Sequence, residues 1–113
     1  MNVEKDLEKF IVDVIDSLLM WELVVFIANN PGIADNADGI AGRLGRRRQD
    51  LAQLLDQLCD KKILKKWGEQ EDPVYAYQPQ PKVADIIETF LKINADKEGR
   101  LLIWSQLLKQ GIR

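Results

Sequence analysis

The sequence predicts one mainly α domain of the α+β class, in which helices surround a single β-hairpin. Apolar residues recur at spacings of three and four through most of the chain, which is the period of a helix face. Only between Ile63 and Tyr77 do two short β-prone runs face each other across a polar loop containing Gly and Pro. A length of 113 residues is the usual size of one domain and short for two, so residues 1–113 are expected to share one core.

From Val3 to Asn29, the positions Leu7, Phe10, Ile11, Val14, Ile15, Leu18 and Leu19 follow the helical period. Asp16 and Ser17 interrupt it with two good N-cap types, which allows a short first helix and a second one from Leu18 to Ala28. Asn29-Asn30-Pro31-Gly32 then ends the region. Asparagine tolerates a left-handed cap, proline disfavours helical geometry in the residue before it, and glycine permits a reversal. Asp35 or Asn36 caps the next helix, Asp38 suits its first turn, and Ile40, Ala41 and Leu44 form a short apolar face before Gly45 closes it.

A third helix starts among Arg46 to Gln49 and runs to about Lys61, with Leu51, Leu54, Leu55 and Leu58 as its core stripe. Ile63–Trp67 and Val74–Tyr77 read as two strands joined by the loop Gly68–Pro73. Pro79 and Pro81 stop the second strand. Pro81 also suits the first position of a helix whose face is Val83, Ile86, Ile87, Phe90 and Leu91. Between Asn94 and Gly99 this helix bends or stops, and Leu101, Leu102, Trp104, Leu107 and Leu108 continue the pattern to Gly111. No internal repeat is evident.

Composition narrows the function classes. Hydrophobic residues at 46% and charged ones at 30% exclude disorder and collagen-like structure. The longest apolar run, Leu23 to Ala28, is far short of the ~20 residues of a membrane-spanning helix. Glu4, Lys5, Asp6, Glu8 and Lys9 occupy the place of a secretory signal's apolar stretch, so a cytoplasmic location is expected. With one cysteine, Cys59, and no histidine, Ser-His and Cys-His catalysis and the usual transition-metal sites are excluded. Asp85 and Glu88 read as a solvated helix face, and Cys59 as an inert, half-buried small hydrophobe. No enzyme activity, metal or other cofactor is expected.

Charge is nearly balanced, at −2, but unevenly spread. Residues 1–38 carry eight acids against two bases, and residues 39–67 carry eight bases against three acids. Any contact with phosphate should come from the middle of the chain.

The order helix, short helix, helix, hairpin, with further helices at both ends, resembles the winged helix-turn-helix family, which includes bacterial regulators of the MarR and ArsR types. The resemblance covers about Ser17 to Gln78. It is carried by Ile40-Ala41-Gly42-Arg43-Leu44-Gly45, which matches the pattern Ile-Ala-x-x-Leu-Gly ahead of the family's turn. The leucine stripe Leu51, Leu54, Leu55 and Leu58, and Ile63-Leu64 followed by the basic pair Lys65-Lys66, complete it. The family commonly has a glycine before that hydrophobic pair. Lys62 stands there in this chain and must either accept left-handed geometry or leave the helix differently.

What the resemblance implies is a DNA-binding transcriptional regulator, with double-stranded DNA as its partner. It would present the third helix to a major groove, N-terminal residues first. Arg46, Arg47, Arg48 and Gln49 occupy that end, where Arg suits guanine and Gln suits adenine, and Arg43, Lys65 and Lys66 suit the phosphate backbone. Cations at a helix N-terminus oppose its dipole, so stability alone would not select three arginines there. Glu69, Glu71 and Asp72 in the hairpin loop point the other way, since they repel phosphate. Winged helices also act as protein-interaction or dimerisation modules. The run Leu54-Leu55-Asp56-Gln57-Leu58 with Ile63-Leu64 is similar to the N-terminal dimerisation domain of small-molecule O-methyltransferases, so a protein partner in place of DNA stays open.

The flanking regions 1–16 and 82–110 hold more large apolar residues than a small core of about residues 17–78 needs to cover itself. A homodimer is expected, with Phe90, Leu102 and Trp104 at the subunit interface.

Overall fold

The structure, a computed structural model, describes residues 3–111. The N-terminal helical stretch is divided into α1 (Val3–Val14) and α2 (Leu18–Ala28). Ser17 makes the division: its extended backbone starts a new helix, and its side-chain oxygen accepts a hydrogen bond from the Met20 N–H at 3.0 Å. α2 is apolar on nearly all sides, and Met20, Leu23, Val24 and Ile27 are buried. The next helix, α3 (Ala37–Leu44), is capped by Asn36, whose Oδ1 accepts from the Gly39 N–H at 2.8 Å. After the turn Gly45–Arg47 comes α4 (Arg48–Asp60), which buries Leu51, Leu55 and Leu58.

Strands β2 (Leu64–Gly68) and β3 (Pro73–Tyr77) form the expected antiparallel hairpin, Leu64 opposite Tyr77 and Gly68 opposite Pro73. Because Gly68 and Pro73 both join the ladder, the tip shrinks to Glu69–Asp72. Pro73 opens its strand, where a missing N–H is tolerated. A short strand that the sequence does not reveal, β1 (Ala34–Asp35), pairs with the other edge of β3, giving the order β1-β3-β2. Two residues are too few to show a period. They form a strand because β3 has a second edge of N–H and C=O groups to satisfy.

α5 (Pro81–Asn94) starts with proline at its first turn, and α6 (Lys97–Lys109) is capped by Asp96. Gly99 permits the corner between them: a Cβ there would run into the backbone carbonyl of Ile93. The core reaches well beyond residues 17–78. Phe10, Ile11, Val14 and Ile15 of α1, Ile87 and Phe90 of α5, and Ile103 and Leu107 of α6 are all buried. Trp21 ties these helices together, since its Nε1–H donates to Asn94 Oδ1 at 2.8 Å and its ring lies 6.1 Å from that of Trp104.

Phe90 does not lie where a subunit interface could use it. Its ring packs against Phe10, with centroids 5.7 Å apart, and its own chain covers it completely. The apolar surplus expected at the ends of the chain is thus partly spent on its own core. Leu102 and Trp104 keep 70% and 36% of their surface exposed.

Two helices end in the same way with different residues. At the end of α3, the Arg46 N–H reaches the Ala41 carbonyl and the Gly45 N–H reaches that of Gly42, with Gly45 at φ 65°. At the end of α4, the Ile63 N–H reaches the Leu58 carbonyl and the Lys62 N–H reaches that of Cys59, with Lys62 at φ 64°. Lys62 therefore accepts the left-handed geometry that glycine adopts freely. A left-handed non-glycine residue costs about 1–2 kcal/mol, and glycine returns part of that relief through its freer unfolded chain. Lys62→Gly is expected to stabilise the fold by about 1 kcal/mol, read as a higher urea midpoint at constant m-value. A lower midpoint would show that the lysine side chain holds the turn.

Candidate nucleic-acid interface

The rotation of α4 is set by its buried side. With Leu51, Leu55 and Leu58 turned inward, the opposite side carries Gln49 and Gln53, both exposed and one turn apart. Sequence reasoning selected Gln49 and missed Gln53. The i,i+4 spacing from Gln49, on the side away from the leucine stripe, was the signal that identifies it. Further along the same side stand Asp56 and Asp60, so only the N-terminal half of this face is free of carboxylates.

The three arginines before and at the start of α4 are each engaged with carboxylates of their own chain. Arg46, in the turn, donates to Glu22 of α2 at 2.6 Å, and the carboxylate raises its pKa above the ordinary value. Arg47, the N-cap residue, donates to both oxygens of Asp50 at 3.0 and 3.3 Å. Asp50 in the first turn suits the helix dipole and offsets the cations there. Arg48 donates to Asp38 of α3 at 3.2 Å and to the backbone carbonyl of Glu71 at 3.1 Å, and it lies 3.5 Å from the Asp72 carboxylate. Every one of these side chains is substantially exposed. Ion pairs of that kind contribute about 0–1 kcal/mol, so a phosphate can replace the carboxylate at little cost.

The remaining residues expected to touch DNA divide in two. Arg43, in the last turn of α3, and Lys65, on β2, are exposed and have no ion-pair partner among the described residues. Lys66 turns to the inner side of the hairpin and donates to Asp56 Oδ1 at 3.0 Å, which raises its pKa. Tyr75, opposite Lys66 on β3, donates its hydroxyl to the same oxygen at 2.8 Å, and burial together with this bond pushes its pKa up. Asp56 thereby ties α4 to the hairpin.

No family model matches the chain, and no curated protein matches it. Among solved structures it is similar to the AntR antimony-specific transcriptional repressor, with a TM-score of 0.59 and 20% identity over 75% of this chain and 74% of that one. It is similar also to HlyU from Vibrio cholerae N16961, with a TM-score of 0.60 and 14% identity over 85% of this chain and all of that one. The fold is a winged helix.

In winged-helix terms, α3, the turn Gly45–Arg47 and α4 are the helix-turn-helix, and β2–β3 is the wing. The wing's acids are not equivalent, contrary to the sequence reading, which treats Glu69, Glu71 and Asp72 alike. Asp72 accepts from Asn36 Nδ2 at 3.2 Å and faces Arg48, so it is held against the cap of α3 and the first residue of α4. Of the three acids, Glu69 and Glu71 are exposed at the tip and Asp72 is partly covered. Arg48 is the centre of this arrangement, joining α3, α4 and the wing.

Proposed function

We propose that the chain is a DNA-binding transcriptional regulator that acts as a homodimer and presents the N-terminal half of α4 to a major groove. The observation that carries this reading is the exposed pair Gln49 and Gln53 on α4, opposite its buried leucines and preceded in the turn by Arg46 and Arg47. Glutamine side chains can bond adenine edges in bidentate fashion, and arginines beside them can hold the backbone. In this reading Lys65 also holds the backbone, while Arg48 positions the wing and Lys66 braces it, so neither of those two reads bases. The similarity of the scaffold to a transcriptional repressor supports the proposal. AntR's antimony specificity does not carry over, because one cysteine and no histidine leave this chain without a soft-metal ligand set.

The reading contains no catalytic step and a cytoplasmic location. No helix among the described residues is long and apolar enough to cross a membrane. The homodimer rests on α6, which is apolar on two sides. Ile103 and Leu107 face the chain's own core, while Leu101, Leu102, Trp104 and Leu108 are exposed. A second copy would cover them, and light scattering at tens of micromolar is expected to report twice the chain mass. A mass of one chain would refute the dimer.

The deciding experiment is a titration against a pool of randomised duplexes at two salt concentrations. Affinity should fall with salt at a log slope of about −0.9 per phosphate contacted. A chain that shifts no duplex at low salt is not a DNA-binding regulator. The second reading, a winged helix that binds protein, would then stand, and the pairing of Arg46, Arg47, Arg48 and Lys66 with the chain's own acids favours it.

Those acids make a further prediction. Glu22 and Asp50 compete with phosphate for Arg46 and Arg47, so Glu22→Gln with Asp50→Asn is expected to tighten DNA binding several-fold at low salt. The gain should shrink as salt rises and screens the exposed charges. Unchanged affinity in fluorescence anisotropy would mean that neither arginine meets phosphate.

A further inference from the structure

We propose that a cleft between α1, the end of α4 and the start of α5 binds a small zwitterion with an apolar side chain, of the class of the free apolar amino acids. The site is independent of DNA binding. The cleft has a volume of about 280 Å³, near the lower end of small-molecule pockets, about 300 Å³. Phe10, Val14 and Ile63, all buried, form its floor, and half-buried Val83 and Ile86 of α5 continue it. Such a floor draws an aliphatic or aromatic side chain out of water.

Five charged side chains line the same cleft: Asp6, Lys9 and Asp13 on α1, Lys61 at the C-cap of α4, and Lys82 in the first turn of α5. None of them forms an ion pair among the described residues. The arginines of the helix-turn-helix are the opposite case, since Arg46, Arg47 and Arg48 each meet a carboxylate. Asp6 Oδ2 is covered from solvent and has no hydrogen-bond partner. A carboxylate oxygen so placed calls for a charged donor. The charges are also sorted by wall. Asp6 and Asp13 stand seven positions apart on α1, two turns along one side of the helix, with Lys9 between them. Lys61 and Lys82 enter from the other two helices, and among the described residues no acid lines the cleft from either of those. An α-ammonium therefore fits the α1 wall, an α-carboxylate fits Lys61 and Lys82, and the side chain rests on the floor between them. A simple anion would leave Asp6 unsatisfied, and a simple cation would face three lysines.

The test is equilibrium dialysis of the full chain against labelled L-leucine, with isocaproate and L-leucinamide as competitors. Isocaproate lacks the ammonium and leucinamide lacks the carboxylate. Leucine is expected to bind and each competitor to be about tenfold or more weaker, the cost of leaving a charged partner unmatched. Asp6→Asn and Lys82→Gln should each weaken leucine about tenfold, and Asp6→Asn should also erase the preference for leucine over isocaproate. Neither side chain has an ion-pair partner among the described residues, so both variants should keep the wild-type urea midpoint. No binding of L-valine, L-leucine or L-phenylalanine at millimolar concentration overturns the proposal. Isocaproate as tight as leucine would make the cleft an anion site and overturns it too. Wild-type leucine affinity in either variant would place the binding elsewhere and refute the cleft.

Discussion

Replacing Arg47 and Gln49 together with alanine is expected to weaken binding to a selected duplex by about a hundredfold. Losing a base-reading side chain costs about 1–3 kcal/mol and relaxes specificity at one position, while losing a phosphate contact weakens all sequences alike and lowers the salt slope by about one. Both signatures should appear in the double variant, and each single variant should show one of them. Folding should barely change, because Gln49 is exposed and the Arg47–Asp50 pair lies at the surface. Arg48→Ala should behave differently. It releases the Glu71 carbonyl and Asp72, so its effect should follow from a loosened wing, seen as faster hydrogen exchange at the tip. Wild-type affinity in the double variant would remove α4 from the reading of DNA.

Phe90→Ala is expected to destabilise the fold by about 3–5 kcal/mol, the range for deleting a buried phenylalanine. That is a large share of the roughly 5–15 kcal/mol that holds a domain together. The ring is fully buried against Phe10, so its loss opens a cavity where α1 meets α5. Leu102→Ala, at a side chain that its own chain leaves exposed, should change the stability of the isolated subunit by about 0.5 kcal/mol or less. Under the proposed homodimer, its effect should instead be a shift of scattering mass toward one chain at low concentration. A Phe90→Ala variant with wild-type stability but half the mass would restore Phe90 to the subunit interface and contradict the packing described above.

Much of the fold was legible in local chemistry. Ser17, Asn36, Gly45 and Pro81 start or stop helices through bonds and dihedral limits that span only a few residues, so their roles are visible without knowing what lies across the molecule. The leucine stripe of α4 gives its own rotation, and with it the outward side that bears Gln49. Lys62 shows the limit of such reasoning. The sequence marked the position as one where glycine is usual, and left two exits open. Hydrogen bonds from Lys62 and Ile63 to the last turn of α4 chose the left-handed one.

By itself the sequence determined the helices, the hairpin, the concentration of positive charge in the middle of the chain and a composition with one cysteine and no histidine. Tertiary structure alone decided what each side chain faces. Periodicity says that a side of a helix is apolar, but not what covers it, so Phe90 and Leu102 look alike in sequence and differ completely in burial. The same holds for charge. Arg46 meets Glu22 from 24 positions away, Asn36 meets Asp72 across 36, and Trp21 meets Asn94 across 73. Such partners are brought together only when the chain closes around its core, because exposed ion pairs and single hydrogen bonds are each too weak to direct the folding that makes them neighbours.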